Sequence, residues 1–180
     1  NQQLNYIDMI EDAVRIVMNI IEQDLSERLR QQGHNNTGAL ISSMDYRIKE
    51  TAHTLVASFE LNNYWYWVNY GVSATRIPYR PGSGAKQSKY ITALISYFES
   101  KGLGRVTAKR AAFATATMHK RDGMPTRASS RFSKDGNRTG FLTGYLDQSG
   151  DTVHSILYSG IEDELNKSLN EIIENVQHGK

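Results

Sequence analysis

Five histidines, at positions 34, 53, 119, 154 and 178, are the first residues to test for chemistry, because a neutral imidazole ligates metals and exchanges protons near neutral pH. No two of them stand in an HExxH arrangement or at another paired spacing that would place two rings on one helix face. His119 and His154 read as ordinary helix-surface residues. The chain has no cysteine, which removes disulfides, thiolate nucleophiles and thiolate metal sites together. Glu162, Asp163 and Glu164 are consecutive, and three consecutive helical positions point in different directions, so they read as a solvated face rather than an acid–base pair. Gly140, Gly144 and Gly150 are too far apart to cradle a phosphate, neither GxGxxG nor GxxxxGKS/T occurs, and Gly82 to Gly84 reads as a plain flexible loop. Nothing in the chain nominates a nucleophile, a metal site or a cofactor site.

Two other groups of residues remain. The stretch YWYWVNYGVSATRIPYRPG, residues 64–82, holds both tryptophans, four tyrosines and two of the three prolines. Such a concentration suits a stacking platform, a core segment that ends in a loop, or a contact completed by another copy. The second group is basic. Residues 101–138 carry ten Lys or Arg against two Asp, a net of +8, in a chain whose total is only +2. Residues 1–30 net −3 and residues 139–180 net −5, so acidic ends flank a basic middle. That sorting suits attraction within one fold, attraction between copies, or proximity to nucleic acid. Lys101, Arg105, Lys109, Arg110, Lys120, Arg121, Arg127, Arg131, Lys134 and Arg138 have the composition of a phosphate-tracking segment, and nearby tryptophans would add single-strand stacking. No zinc-finger, homeodomain or RNA-recognition signature accompanies them.

These residues need elements to position them. Ile7, Ile10, Val14, Val17, Ile21, Leu25 and Leu29 step by three and four, which predicts a long N-terminal helix of roughly 37 Å, capped by Asn5 with Asp8 in its first turn and stopped by Gly33. A short helix or loop over 38–43, opened by Asn36 or Thr37, leads to two alternating runs, 44–49 and 55–61, joined by Glu50 to His53 as an antiparallel hairpin. The run from Tyr64 to Val68 is too short to separate strand from helix. Helices follow at about 88–101, with Ile91, Leu94, Ile95 and Phe98 on one face, and at about 107–121, with Phe113 and Met118 on its apolar side. Residues 126–138 read as an exposed basic loop. A C-terminal helix is expected at about 151–177, with Gly160 as its weak point.

At 180 residues, with 39% hydrophobic and 22% charged, the chain has the size and make-up of one globular domain. No run of eighteen apolar residues suggests a membrane span, and the acidic, periodic N-terminal stretch does not resemble a signal peptide. The expected class is α+β: a long N-terminal helix and further helices packed on a small antiparallel sheet.

The order of these segments resembles the tail-completion or head–tail joining proteins of tailed bacteriophages. Thr37, Gly38, Leu40 and Ser43 match that family's Thr-Gly-x-Leu-x-x-Ser turn after a long helix. Tyr64 or Tyr66, Val68, Tyr70 and Gly71 match its Tyr-x-x-Val-x-x-Gly segment after a hairpin. Gly123, Pro125 and Arg127 match loosely the Gly-x-x-x-Arg-Pro that follows an alanine-rich helix. The resemblance covers roughly residues 5–176, and it rests on order and spacing more than on any one motif. Asn69 stands where the family has an acidic residue, Pro125-Thr126-Arg127-Ala128 replaces its Arg-Pro-aromatic, and 128–138 is an addition.

The resemblance implies a structural virion protein and no enzyme: a homo-oligomeric ring in the phage neck, assembled in the host cytoplasm, with connector, portal-side and tail proteins as neighbours and double-stranded DNA passing through its lumen. It implies an assembly interface at Gly38, Leu40, Trp65, Trp67, Tyr70, Gly71 and Arg80, with Gly71 and the proline loop forming a turn that a partner covers. Lys109, Arg110, Lys120, Arg121, Arg131 and Lys134 would then face DNA or a neighbouring subunit. It implies no metal, cofactor or membrane. The alternative is a nucleic-acid-binding module that uses the basic segment 101–138.

Overall fold

The computed structural model describes residues 6–51, 54–82 and 88–177, with side chains of the first helix from Ile10 onward. The expected cap at Asn5, the side chains of Ile7 and Asp8, and His53, Gly84 and His178 lie outside the described residues. The chain is α+β. Helix α1, Tyr6–Gln31, is followed by a single turn, α2, Ala39–Ser42, and by strands β1, Asp45–Thr51, and β2, Thr54–Glu60. Helix α3, Trp65–Tyr70, a 3-10 turn at Ala74–Arg76, α4, Lys89–Ser100, and α5, Arg105–Asp122, come next. A second 3-10 turn, Arg127–Phe132, lies inside the expected basic loop, and α6, Thr143–Gln177, completes the order.

Helix α1 ends as a glycine stop. Gly33 has φ 73°, its N–H donates to Arg30 and the His34 N–H donates to Leu29, so two terminal carbonyls are satisfied. The buried stripe of α1 is Ala13, Val17, Met18, Leu25 and Leu29. Ile10, expected on that stripe, is exposed, and Ala13 takes its place because Gly160 of α6 approaches there: a Cβ on Gly160 would lie 3.3 Å from that of Ala13. Gly160, expected as a weak point, is therefore a point of close approach between two helices. α1 and α6 run antiparallel. Arg28 donates to Gln148 at 2.6 Å and its guanidinium sits 5.4 Å from the centre of the Tyr145 ring.

The hairpin pairs Asp45 with Glu60 at its base and Thr51 with Thr54 at its tip. Tyr46 and Phe59 face each other edge-on at 6.1 Å on the side turned to α1, where the Tyr46 hydroxyl reaches Asn19 at 3.2 Å. A two-stranded sheet is marginal alone, so its stability comes from α1 and from the core below it. That core joins Leu25, Leu29, Leu40, Met44, Phe141 and Tyr145, with Phe59, Trp65, Val68 and Val153 packed around them.

α4 and α5 form a second packed group. Ser88 caps α4 by accepting the Ile91 N–H at 3.3 Å. Ile91 and Ile95 pack on Ala108, Ala112 and Ala116, a row of alanines at four-residue spacing that lets the two helices approach closely. Phe113 was expected on the apolar side of α5. It lies on the exposed side, because the alanine row faces α4 and Phe113 is turned to Tyr79 at its edge.

Candidate assembly surface

The aromatic segment 64–70 is a helix with two opposed faces. Trp65, Val68 and Asn69, spaced three and four apart, turn inward, and Asn69 is fully buried. Tyr66, Trp67 and Tyr70 turn outward with 45%, 42% and 55% of their surfaces exposed. The outward rings form one patch: Tyr66 stands edge-on to Trp67 at 5.1 Å and lies 4.7 Å from Tyr70. The Arg76 guanidinium lies over Trp67, 5.5 Å from the ring centre, and among the described residues it forms no salt bridge.

Asn69 explains why this helix sits where it does. Its Oδ1 accepts the Leu142 N–H at 2.9 Å and the Thr143 N–H at 3.3 Å, and its backbone carbonyl accepts the Gly140 N–H at 2.7 Å. A side chain on α3 thus caps the start of α6, a helix distant in sequence. Its Nδ2 is buried without a partner among the described residues. This cap is why α6 begins at Thr143 rather than near 151: Phe141 and Tyr145 are buried and the first turn is satisfied from outside, so Gly144 and Gly150 do not break it.

The other expected interface residues divide. Leu40 is 2% exposed and belongs to the core, and Trp65 packs against that core, so neither side chain presents itself to a partner. Gly38 holds the left-handed position, φ 67°, that opens α2, with Thr37 Oγ1 accepting the Ala39 N–H at 3.3 Å; its role is backbone geometry. Gly71 does form a turn, but the chain itself covers it. Val72 and Met124 exchange two backbone hydrogen bonds of 2.7 and 2.8 Å, and a Cβ on Gly71, at φ 75°, would lie 2.5 Å from the Met124 carbonyl oxygen. Gly123 faces Val72 in the same way at 2.7 Å. Arg80 is exposed. Of the expected set, Trp67, Tyr70 and Arg80 are therefore open at the surface.

The basic residues divide as well. Lys120 turns inward: its ammonium donates to the Ala74 and Ile77 carbonyls, each at 3.2 Å, and so holds the first 3-10 turn against α5. Arg121 is exposed and is engaged by its neighbour Asp122 through two bonds of 2.6 and 2.8 Å. Arg131 lies over Phe132 at 4.8 Å, and the Lys134 N–H donates to the Gln31 carbonyl. Lys109 and Arg110 are exposed on α5 with Arg105.

Two of the described histidines, His34 and His119, are half-buried and hydrogen-bonded. His34 Nε2–H donates to the Arg138 carbonyl at 3.0 Å, and burial lowers its pKa below the ordinary value. The Tyr90 hydroxyl and His119 Nδ1 share a hydrogen bond of 2.6 Å; burial lowers the imidazole pKa and pushes the phenol up to about 12. Among the described residues, no three His, Asp or Glu side chains gather as a metal site. An apolar groove of about 420 Å³ opens between α1, β2 and α6, lined by Met18, Phe59, Leu61, Trp65, Leu146 and Val153 among others; among the described residues Tyr145 is its one titratable lining residue. No helix among the described residues is long and apolar enough to cross a membrane.

Comparison with family models, with curated proteins and with solved structures finds no match. Two features went unread in the sequence. One is the tertiary cap by Asn69, which no local pattern announces. The other is the far end of α6, where Leu165, Leu169, Ile172, Ile173 and Val176 are all exposed; their helical spacing was visible, but not that α1 would leave them uncovered.

Proposed function

We propose that the chain is a structural subunit that assembles with copies of itself into a ring in the neck of a tailed bacteriophage, as a head–tail connector or tail-completion protein. The observation that carries the assembly reading is the outward patch of Tyr66, Trp67 and Tyr70 with Arg76 across it. Large aromatic side chains and arginine are the residue types that dominate subunit interfaces, and a single copy leaves these open. The phage-neck reading rests on the order of motifs from Thr37 to Arg127. In this reading the neighbours are connector, portal-side and tail proteins, and double-stranded DNA passes through the lumen.

Light scattering across protein concentration, at low and high salt, tests the assembly. Growth to a ring-sized species is expected. A protein that stays monomeric throughout and also fails to join purified connector complexes overturns the proposal.

A second reading, nucleic-acid binding, is favoured by Arg105, Lys109 and Arg110 lying exposed on α5. It predicts a duplex affinity that falls steeply with salt, and negligible binding at low salt removes it.

A further inference from the structure

We infer that the aromatic face of α3 is covered by the C-terminal end of α6 from a second copy of the chain. This rests on the assembly reading and names the two surfaces that would carry it. Leu165, Leu169, Ile172, Ile173 and Val176 are separated by steps of four, three, one and three, so they form one stripe along the helix. Each is exposed, Leu169 at 55% and Val176 at 74%. The stripe lies on a different side of α6 from the residues turned toward α1, among them Val153, Gly160, which stands against Ala13, and the buried Ser168.

Charge selects the occupant. Residues 161–177 hold Glu162, Asp163, Glu164, Glu171 and Glu174 against Lys167, a net of −4. Two such ends repel each other, so pairing tail with tail is disfavoured. The patch on α3 carries the opposite sign: Arg76 lies over Trp67, and Arg80 is exposed four residues on. An acidic, aliphatic helix end and an aromatic patch crossed by arginine are complementary in both shape of side chain and charge.

The two surfaces do not meet within one chain. Trp65 shares a core with Tyr145, near the start of α6, whereas the stripe begins at Leu165. Twenty helical residues separate them by about 30 Å along an unbroken helix. A contact between unlike surfaces at opposite ends of a subunit is head-to-tail, and repeated head-to-tail contacts close into a ring when the rotation between copies allows it.

The absence of cysteine makes the test direct. Tyr70→Cys is placed in one preparation and Leu169→Cys in another, and the two are mixed and mildly oxidised. Both positions are exposed, and Tyr66→Cys with Ile173→Cys serves as an independent pair. A cross-linked dimer is expected in the mixtures and in neither preparation alone. Adding Glu171→Lys and Glu174→Lys to the Leu169→Cys copy should abolish the cross-link, and Arg76→Glu in the Tyr70→Cys copy should bring part of it back. If light scattering finds an oligomer while neither mixture cross-links, this interface is wrong and the assembly reading stands. Cross-linking by Leu169→Cys alone means that tails pair with tails, which also overturns it. A monomer at every concentration removes this inference, and if it also fails to join purified connector complexes the assembly reading goes with it.

Discussion

Replacing Asn69 by alanine tests whether the junction of α3 and α6 is held by one side chain. The amide oxygen of Asn69 accepts two backbone N–H groups, from Leu142 and Thr143, at a half-buried helix start. Removing the acceptor leaves both donors short of a partner, at about 1–2 kcal/mol each. The substitution also removes an Nδ2 that has no partner, which offsets part of the loss. The expected net cost is about 2–3 kcal/mol, at or above the top of the range of about 0.5–2 kcal/mol for losing a helix cap, because two donors are left rather than one. For a chain of this length that lowers Tm by roughly 5–10 °C. Urea unfolding followed by far-ultraviolet circular dichroism reads the free energy directly. Asn69→Asp separates the cap from the cavity. It keeps an acceptor, puts negative charge at a helix N-terminus and replaces the unpartnered nitrogen by oxygen, so it should stay within about 1 kcal/mol of the parent. If Asn69→Ala lies within about 0.5 kcal/mol of the parent, or Asn69→Asp is as damaged as alanine, the cap does not hold the junction.

Two further outcomes follow from the same geometry. Gly71→Ala puts alanine in a backbone conformation, φ 75° and ψ −175°, that is essentially restricted to glycine, and drives its Cβ to 2.5 Å from the Met124 oxygen, whereas Gly102→Ala, at φ 86°, meets nothing within 4 Å. Gly102→Ala should cost about 1–2 kcal/mol in thermal unfolding and Gly71→Ala clearly more, from backbone and contact together. Acid should weaken the fold through His34 and His119, whose pKa values burial depresses below the ordinary 6.5. The unfolded chain then binds more protons than the folded one, so stability is full above pH 6.5 and is lost as pH falls through that value toward the depressed one. The drop in Tm over that interval should shrink in His34→Gln and His119→Gln, and an unchanged pH profile in the double variant assigns it to other groups.

The elements whose faces are set by their own periodicity were legible in the sequence. The spacing of Leu25 and Leu29, the alternation of Tyr46 and Ile48 with Arg47 and Lys49, and the shared face of Ile91 and Ile95 each appear where the residue pattern places them. Features decided by a distant partner were not legible. The inward side of α5 follows three alanines rather than Phe113, because α4 approaches closely enough that only a methyl group fits between the helices. The start of α6 depends on Asn69, and the shape around Gly71 depends on Met124, neither of which is a neighbour in sequence. Of the residues whose types suit an assembly surface, Trp67 and Tyr70 are exposed, while Leu40 and Lys120 are occupied inside the subunit. A short helix with four aromatic residues hides this division, since alternation and a single helical turn both fit so short a run.

The pairing of α1 with α6 also sets an order of events while the chain is being made. Arg28 and Gln148 meet across 120 positions of sequence, whereas α4 and α5 are joined by a few residues. The local pair closes as soon as both helices have left the ribosome, because little chain entropy opposes it. Leu25 and Leu29 must wait for Phe141 and Tyr145, which emerge after α5 is complete. Through most of synthesis the long first helix therefore has only α2, the hairpin and α3 to cover its apolar stripe. Translation that stops before residue 141 leaves the part of that stripe that faces α6 open, the kind of transient apolar surface that makes a chain prone to aggregate.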